Sequence, residues 1–429
     1  MKAGFAEIDI TPPVGTHKIG WLKDIVSESI LDPLSARCAI FEQGRERVAF
    51  VQYDLLCIRW TQVADLRKRI EKKFGFPGDR IMVGATHNHA GPAVANLGDV
   101  PRDEGYIETL MQKSVTLFGA ALKARRGAKL GFASVFDFEV GHNRRIIMRN
   151  GTTRTHGALT NPDAALCIEG PMDPEVAVIA ARDLKGRMLG LMVNYTCHPT
   201  HLGGGTVLSA GYPGILCRTL QAQGVPVALF LNGAAGDVHT NDPVAARDVT
   251  LEEAGHKLAA DALAAVAKMT FEAGWPLGGG RTTVQLPYRK LTPAEVAGTL
   301  PGTQRSVDPA IYERTMPGLV ARIRARKTQP AEVQVLRLGN LAIAGIPAEY
   351  FVEFGLRIKL DCWPVRALVA GFTNGMVGYV PTVKAFQYKG YEPTLGPPSK
   401  LAPEAGDQLA DAAVRVVRRL WKSKPLRKR

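Results

Sequence analysis

Five times in this chain a short apolar run of strand length gives way to a turn rich in glycine, proline, histidine or asparagine. Ile81–Ala85 leads into THNHAGP, Leu189–Tyr195 into CHPTHLGGG, and Val225–Leu231 into NGAAGDVHTN. Leu341–Gly345 leads into IPAEYF, and Leu368–Phe372 into TNGMVGYVPT. Amphipathic stretches over 60–75, 106–124 and 244–268 lie between these runs with helical spacing. The alternation predicts an α/β fold of mixed β-sheets flanked by helices. Ligands of such sheets collect beyond the carboxyl ends of the strands, so the five turns are expected to surround one site.

Further strands are expected over 38–53, as a pair about a glycine turn, over 128–140, and over Val176–Arg182 paired with Leu189–Tyr195. Residues 150–172 read as a long loop rich in Gly, Thr, Asn and Pro. Region 275–330 changes character, with Gly and Pro early and then a basic RARK, and is the candidate for an inserted subdomain or lid. Otherwise the 429 residues read as a single catalytic domain, with 421–429 a basic tail.

Composition excludes several classes. No apolar run approaches the roughly 18 residues of a membrane span. The first residues lack the apolar core of a secretory signal, so the expected location is cytoplasmic. Six cysteines without a CxxC pair argue against both a disulfide framework and a thiolate zinc knuckle. The net charge of +14 raises the question of nucleic acid, yet no recognised binding motif is present. Basic residues concentrate at Arg67–Lys73, which repeats like a solvated helix face, at Arg322–Lys327, and at Lys422–Arg429. Association with an anionic membrane surface stays open, and the oligomeric state is not legible.

Four of the nine histidines fall in two of the turns: His87 and His89, then His198 and His201. Residues two apart on an extended chain face the same side, so His87 and His89 can look into one cleft. Pro199 biases His198 toward an extended backbone. Neutral imidazole is a common zinc ligand, and catalytic zinc takes three protein ligands and a water. Spacing alone names no third or fourth ligand. NGAAG is a permissive turn whose amides could line a pocket, and it is not a phosphate loop because no GK[ST] follows.

The turns also carry a family resemblance. THNHAGP resembles the THTHSGP segment of neutral ceramidases, the non-lysosomal zinc amidases that cleave N-acyl sphingosine. AGFAEIDITPP, HNRR, CHPTHL, NGAAGDVHTN, IPAEYF, GYVPT and YEPTLGP follow in the family's order, from residue 3 to about 400. The resemblance implies one zinc per chain held by His87, His198, Glu349 and Tyr379. It also implies that His89 contacts substrate and that Arg144 stabilises a developing oxyanion, with Arg145 one position away.

The sequence departs from the family at two places. The serine of GDVSPN is His239 here, which removes a hydroxyl nucleophile and favours attack by metal-activated water. His239 then reads as a general base, a proton donor to the leaving amine, or a ligand to a second metal. SxDYPG becomes SAGYPG, with Gly211 in place of the aspartate. Many family members add a C-terminal immunoglobulin-like domain, for which this length leaves no room. The expected function is hydrolysis of an amide bond in a small-molecule or lipid substrate, not necessarily ceramide. An esterase or lactonase on the same site, and a non-catalytic metal- or lipid-binding homologue, are the alternatives.

Overall fold

The computed structural model describes residues 1–156, 159, 161–245, 247–305 and 308–421. Lys422–Arg429 of the basic tail lie outside the described residues.

A large mixed sheet is built from Lys2–Asp9 (β1), Ser35–Gln43 (β2), Glu46–Tyr53 (β3), Ile81–Ala85 (β4), Arg126–Phe136 (β5), Glu175–Asp183 (β6), Met188–Tyr195 (β7) and Ala228–Asn232 (β8). The spatial order is β8-β7-β6-β5-β1-β2-β3-β4, with the short strand Phe271–Glu272 added beside β5. A second sheet runs Leu277–Pro287 (β9), Thr328–Leu338 (β10), Leu341–Gly345 (β11) and Arg366–Ala370 (β12), in that order. β9 pairs with β10 along its whole length, Leu277 opposite Leu338 through Pro287 opposite Thr328. Region 275–330 thus begins as a strand of the second sheet. It continues into helices, the longer of which is Pro309–Arg326.

The sheets face each other across a dry interior of Phe41, Phe50, Met82, Ile179, Leu336, Ile343 and Leu368, among others. Each such side chain contributes about 1.5–3 kcal/mol on burial. The outer face of the large sheet is covered by Trp60–Phe74 (α1) and Glu104–Lys123 (α2) over one half. Gly211–Ala222 (α3) and Leu251–Ala267 (α4) cover the other half. The outer face of the second sheet takes Pro309–Arg326 (α5), Val352–Asp361 (α6) and Ala405–Trp421 (α7). The result is four layers, helix–sheet–sheet–helix. Strands buried on both faces read as continuous apolar runs, which is why β2, β4, β8 and β11 stand out in the sequence.

Within the two main sheets, three pairs of neighbouring strands are parallel: β3 with β4, β7 with β8, and β11 with β12. Parallel neighbours end on the same side, so the five expected turns all leave strands of parallel pairs. The segment after β12 then ties both edges of the large sheet together. Gly371 N donates to Asn232 O at 2.9 Å, and Asn374 N to Val83 O at 2.7 Å. Those bonds bring the ends of β4 and β8 to the same place.

Some boundaries move. The helix expected from 244 begins at Leu251, where Thr250 caps it and Glu253 closes the capping box. The loop over 150–172 contains the short strands Thr153–Arg154 and Ala165–Ile168, both paired with Ile146–Met148. Arg67, expected on a solvated helix face, is buried. Its guanidinium donates to Ile81 O and reaches Glu332 and Gln334, clamping α1 to the second sheet. Periodicity shows which side of a helix is polar, but not whether another layer lies against it.

Candidate metal centre and its cavity

His87 begins the turn after β4 with φ +68°, in the left-handed region rather than the extended one expected for an HxH pair. Such a backbone costs of order 1–3 kcal/mol in a non-glycine residue and needs support. The support is a hydrogen bond from Nδ1 to Leu56 O at 2.8 Å and a ring stacked on Phe372 at 4.0 Å. His198 follows β7, and its Nδ1 donates to Ala235 O at 2.8 Å. Each ring carries its proton on Nδ1 because a carbonyl accepts there. Both Nε2 atoms are therefore lone pairs, and they face one another at 2.9 Å.

Two buried lone pairs at that distance repel unless a cation lies between them. A zinc ion with nitrogen bonds of about 2.0–2.1 Å fits such a donor pair. Glu349 Oε2 lies 3.5 Å from His87 Nε2 and 3.7 Å from His198 Nε2. Glu349 and Tyr379 are direct partners in a two-residue parallel ladder, with Tyr350 opposite Val380. The Tyr379 ring lies nearly parallel to that of His198, centroids 6.4 Å apart. His89 offers a further nitrogen, with all three imidazoles presenting atoms within 4.8 Å of one another. Its Nε2 is buried and has no hydrogen-bond partner among the described residues. The donor set of one carboxylate, one phenol and imidazole nitrogens suits a divalent cation of zinc's type.

Burial, and then the neighbouring His87, hold His198 and His89 well below the usual histidine range. Both rings are thus neutral, as ligands must be. Burial followed by Glu349 pushes the Tyr379 phenol well up, while Arg144 pulls it down. The phenolate needs a cation to form here.

Arg144 is the nearest fixed cation. Its Nη2 donates to Tyr379 OH at 3.2 Å and to Gly236 O at 3.0 Å, and its Nε to Glu392 Oε1 at 2.7 Å. Arg145 points away, bonding Glu392, Glu169 and Lys389 O. The neighbours divide cleanly: Arg144 lines the cavity and Arg145 braces its wall. Glu392, fully buried between the two guanidiniums, is held down to about 2 despite its burial.

His239 lines the same cavity, and its backbone bridges to His198. Asn241 N donates to Nδ1 at 3.1 Å, which leaves the proton of the neutral ring on Nε2. Nε2 therefore donates to Thr200 Oγ1. Burial and Arg144 lower the His239 pKa well below its ordinary range. Asp237 caps α6 through Val352 N and takes Asn143 Nδ2, both at 2.9 Å. His201 is turned to Val249 O at 2.8 Å.

The amides of NGAAG do not line the cavity as expected. Gly233 N is spent on Tyr195 O and Gly236 N on Tyr350 O. Glycine is needed for close approach instead: a Cβ on Gly236 would lie 2.5 Å from Glu349 O, and one on Gly233 2.0 Å from Thr196 Oγ1.

Three residues at the site are not singled out by the sequence. Asn232 ends β8, sends Nδ2 to Thr86 O at 3.0 Å and accepts from Cys197 N at 3.3 Å. It stitches the two histidine turns together. Thr200 and Glu392 stand inside CHPTHL and YEPTLGP, and the only local signal for them is that they are polar members of turns already marked by their neighbours.

His87, His89, Glu349 and Tyr379 of the candidate metal centre line a cavity of about 1040 Å³. Ile19, Trp21, Leu22, Leu56, Leu97 and Leu319 supply much of its apolar wall, and α5 lines it from Thr315 to the exposed Arg322 and Arg326.

No family model matches the chain. Among solved structures, the neutral ceramidase from Pseudomonas aeruginosa superposes with a TM-score of 0.77 at 19% identity, over 100% of this chain and 75% of its own. A structure of a ceramidase complexed with C2 gives 0.77 at 18% identity, over 100% and 76%. The chain has a neutral ceramidase-like fold, as the ordered segments imply.

Proposed function

We propose that this chain is a zinc-dependent hydrolase of carbon–nitrogen amide bonds, ceramidase-like in chemistry. The observation that carries the reading is the facing pair of His87 and His198 Nε2 lone pairs, with Glu349 beside both. The solved neighbours are ceramidases, which supports an amide as the bond cleaved.

His87, His198, Glu349 and Tyr379 would hold the ion. When bound, zinc supplies a Lewis acid for the carbonyl and brings the pKa of water toward about 7. Arg144 stabilises Tyr379 as phenolate and presents fixed positive charge where the carbonyl oxygen gains negative charge. Its ties to Glu392 and Gly236 O keep it from reorganising, which is the condition for large electrostatic effects. His89 Nε2, buried and unpartnered, is free to bond the scissile group.

His239 acts through Thr200. With Nδ1 occupied by Asn241 N–H, the ring is neither a base toward the cavity nor readily a second-metal ligand. It donates to Thr200 Oγ1, so the Thr200 hydroxyl proton is free to point into the cavity toward the leaving nitrogen. This narrows the three roles expected of His239 to positioning a donor.

The test is metal analysis of protein purified without added metal, followed by assays on matched N-acyl and O-acyl substrates. The expected result is close to one equivalent of zinc and turnover of the amide. A folded His87→Ala/His198→Ala variant should lose both. Full amide turnover by that variant would refute the reading, and turnover of the ester alone would move the chain to the esterases.

A further inference from the structure

The charge on the cavity wall is one-sided. Among the described residues it carries Arg59, Arg102, Arg144, Arg322, Arg326 and Lys400 against the one carboxylate of Glu349. Arg144 shares the Glu392 carboxylate with Arg145, and Arg102 pairs with Glu104. Arg59, Arg322, Arg326 and Lys400 have no carboxylate within 4.0 Å among the described residues.

These four are graded in depth. Arg322 and Arg326 are exposed, one helical turn apart on α5 where it lines the cavity. Arg59 is half-buried, with its guanidinium over the Trp60 ring at 4.7 Å. Lys400 is buried deeper, and among the described residues its ammonium has only backbone acceptors, Val377 O at 2.6 Å and Pro397 O at 3.4 Å. A buried cation without a counter-charge is costly, and several kept along one passage destabilise each other as well. Burial, then Arg59 and Arg322, push the Lys400 pKa down to about 7. A bound anion would relieve all of these terms together.

We infer that the cavity takes an acidic amide: a compound whose acyl or amine part ends in a carboxylate, phosphate or sulfate. Lys400 and Arg59 bind that group, and Arg322 and Arg326 draw it in. The inference rests on the proposed hydrolase reading for the amide, but the anion site stands on the wall itself. The apolar stretch of Leu22, Leu97 and Leu319 suits a hydrocarbon segment joining the amide to its charged end.

The test separates binding from turnover. Decyl phosphate and the uncharged 1-decanol are titrated calorimetrically into the zinc-loaded protein at low and high salt. Phosphate is expected to bind at least about tenfold tighter at low salt, with the preference falling as salt rises. Lys400→Met and Arg322→Glu should each cut that preference, with Arg322→Lys restoring it. Thermal melts check that each variant is folded. Affinity unchanged across the variants would mean that the phosphate binds the metal instead, and would overturn the inference. In parallel, kcat/KM is compared for an N-acyl substrate ending in a carboxylate and for its methyl ester. A charged-to-neutral ratio of one or less would also overturn it. No turnover of either substrate, with phosphate preference intact, would refute the hydrolase reading and leave the anion site standing. Binding to phosphatidylglycerol vesicles that is lost in Arg322→Glu, with no phosphate preference in the cavity, would instead assign the arginines to a membrane surface and overturn the inference.

Discussion

Glu349 and Tyr379 are register partners in a parallel ladder only two residues long, so a carboxylate and a phenol stand on adjacent backbones beside the candidate metal centre. The ladder has no room to slip. Glu349 N is bonded to Gly378 O at 3.0 Å and Tyr379 N to Pro398 O at 2.7 Å. Behind Glu349 lies Gly236, and the two histidine turns complete the ring.

Gly236→Ala should therefore displace Glu349 without replacing any proposed ligand. The new Cβ would lie 2.5 Å from Glu349 O, a clash with backbone that no rotamer relieves. A shift of about 1 Å at a catalytic group can cost roughly 100-fold in rate. The expected outcome is that loss in kcat and a lower zinc occupancy in a protein whose circular dichroism is unchanged.

Asn232→Leu tests the stitch between the histidine turns. The variant leaves Thr86 O and Cys197 N without their side-chain partner in a dry setting. Stranded groups of that kind cost about 1–3 kcal/mol each, so urea denaturation should show a loss of about 2–4 kcal/mol. Zinc affinity should fall in parallel, because His87 and His198 belong to the two turns released.

Arg144→Lys distinguishes a shaped cation from a point charge. Lysine cannot reach Glu392, Gly236 O and Tyr379 OH together. A kcat loss of about 10²–10³ is expected, as for removal of one fixed donor to a developing oxyanion. Steady-state kinetics should show KM changed far less. An equal loss in Arg145→Lys would contradict the division of labour between the two.

Glu392 carries the acid limb of stability. Its folded pKa of about 2 is below the roughly 4.3 of an unfolded glutamate. The folded form thus binds the proton less well, and its contribution is present above about pH 4.3 and lost as pH falls toward 2. Glu392→Gln leaves Arg144 and Arg145 buried without their shared carboxylate, at a cost of about 3–5 kcal/mol near neutrality. Denaturation across pH should show the gap between wild type and variant closing between about pH 4.3 and 2. A gap independent of pH would exclude the ion pair as its source.

The local chemistry of the site was legible without coordinates because strand ends and turns are written in short windows. Alternation and apolar runs marked β4, β7, β8, β11 and β12, and the turns after them offered His87, His89 and His198, whereas Glu349 and Tyr379 were named only by the family resemblance. Less visible was the rest of the wall. Thr200 in its turn and Asn232 at the end of β8 are ordinary polar residues until a partner across the fold gives them a role. Nor does the sequence show the backbone at His87, where Leu56 and Phe372 stabilise a conformation that the local pattern does not favour.

By itself, then, the sequence determined the α/β class, most strands of the two sheets though not β1 or β9, and the turns that build the candidate site. Each is a matter of side-chain direction repeating within a few residues. Only the tertiary structure decided which turns meet. His87 and His198 are 111 residues apart, and Arg144 and Glu392 are 248 apart. Their juxtaposition follows from three parallel pairs ending on one side and from residues 371–374 tying the edges of the large sheet. The same packing turned Arg67 inward and left Arg322 and Arg326 exposed where α5 lines the cavity. A run of basic residues carries no mark of which layer will cover it.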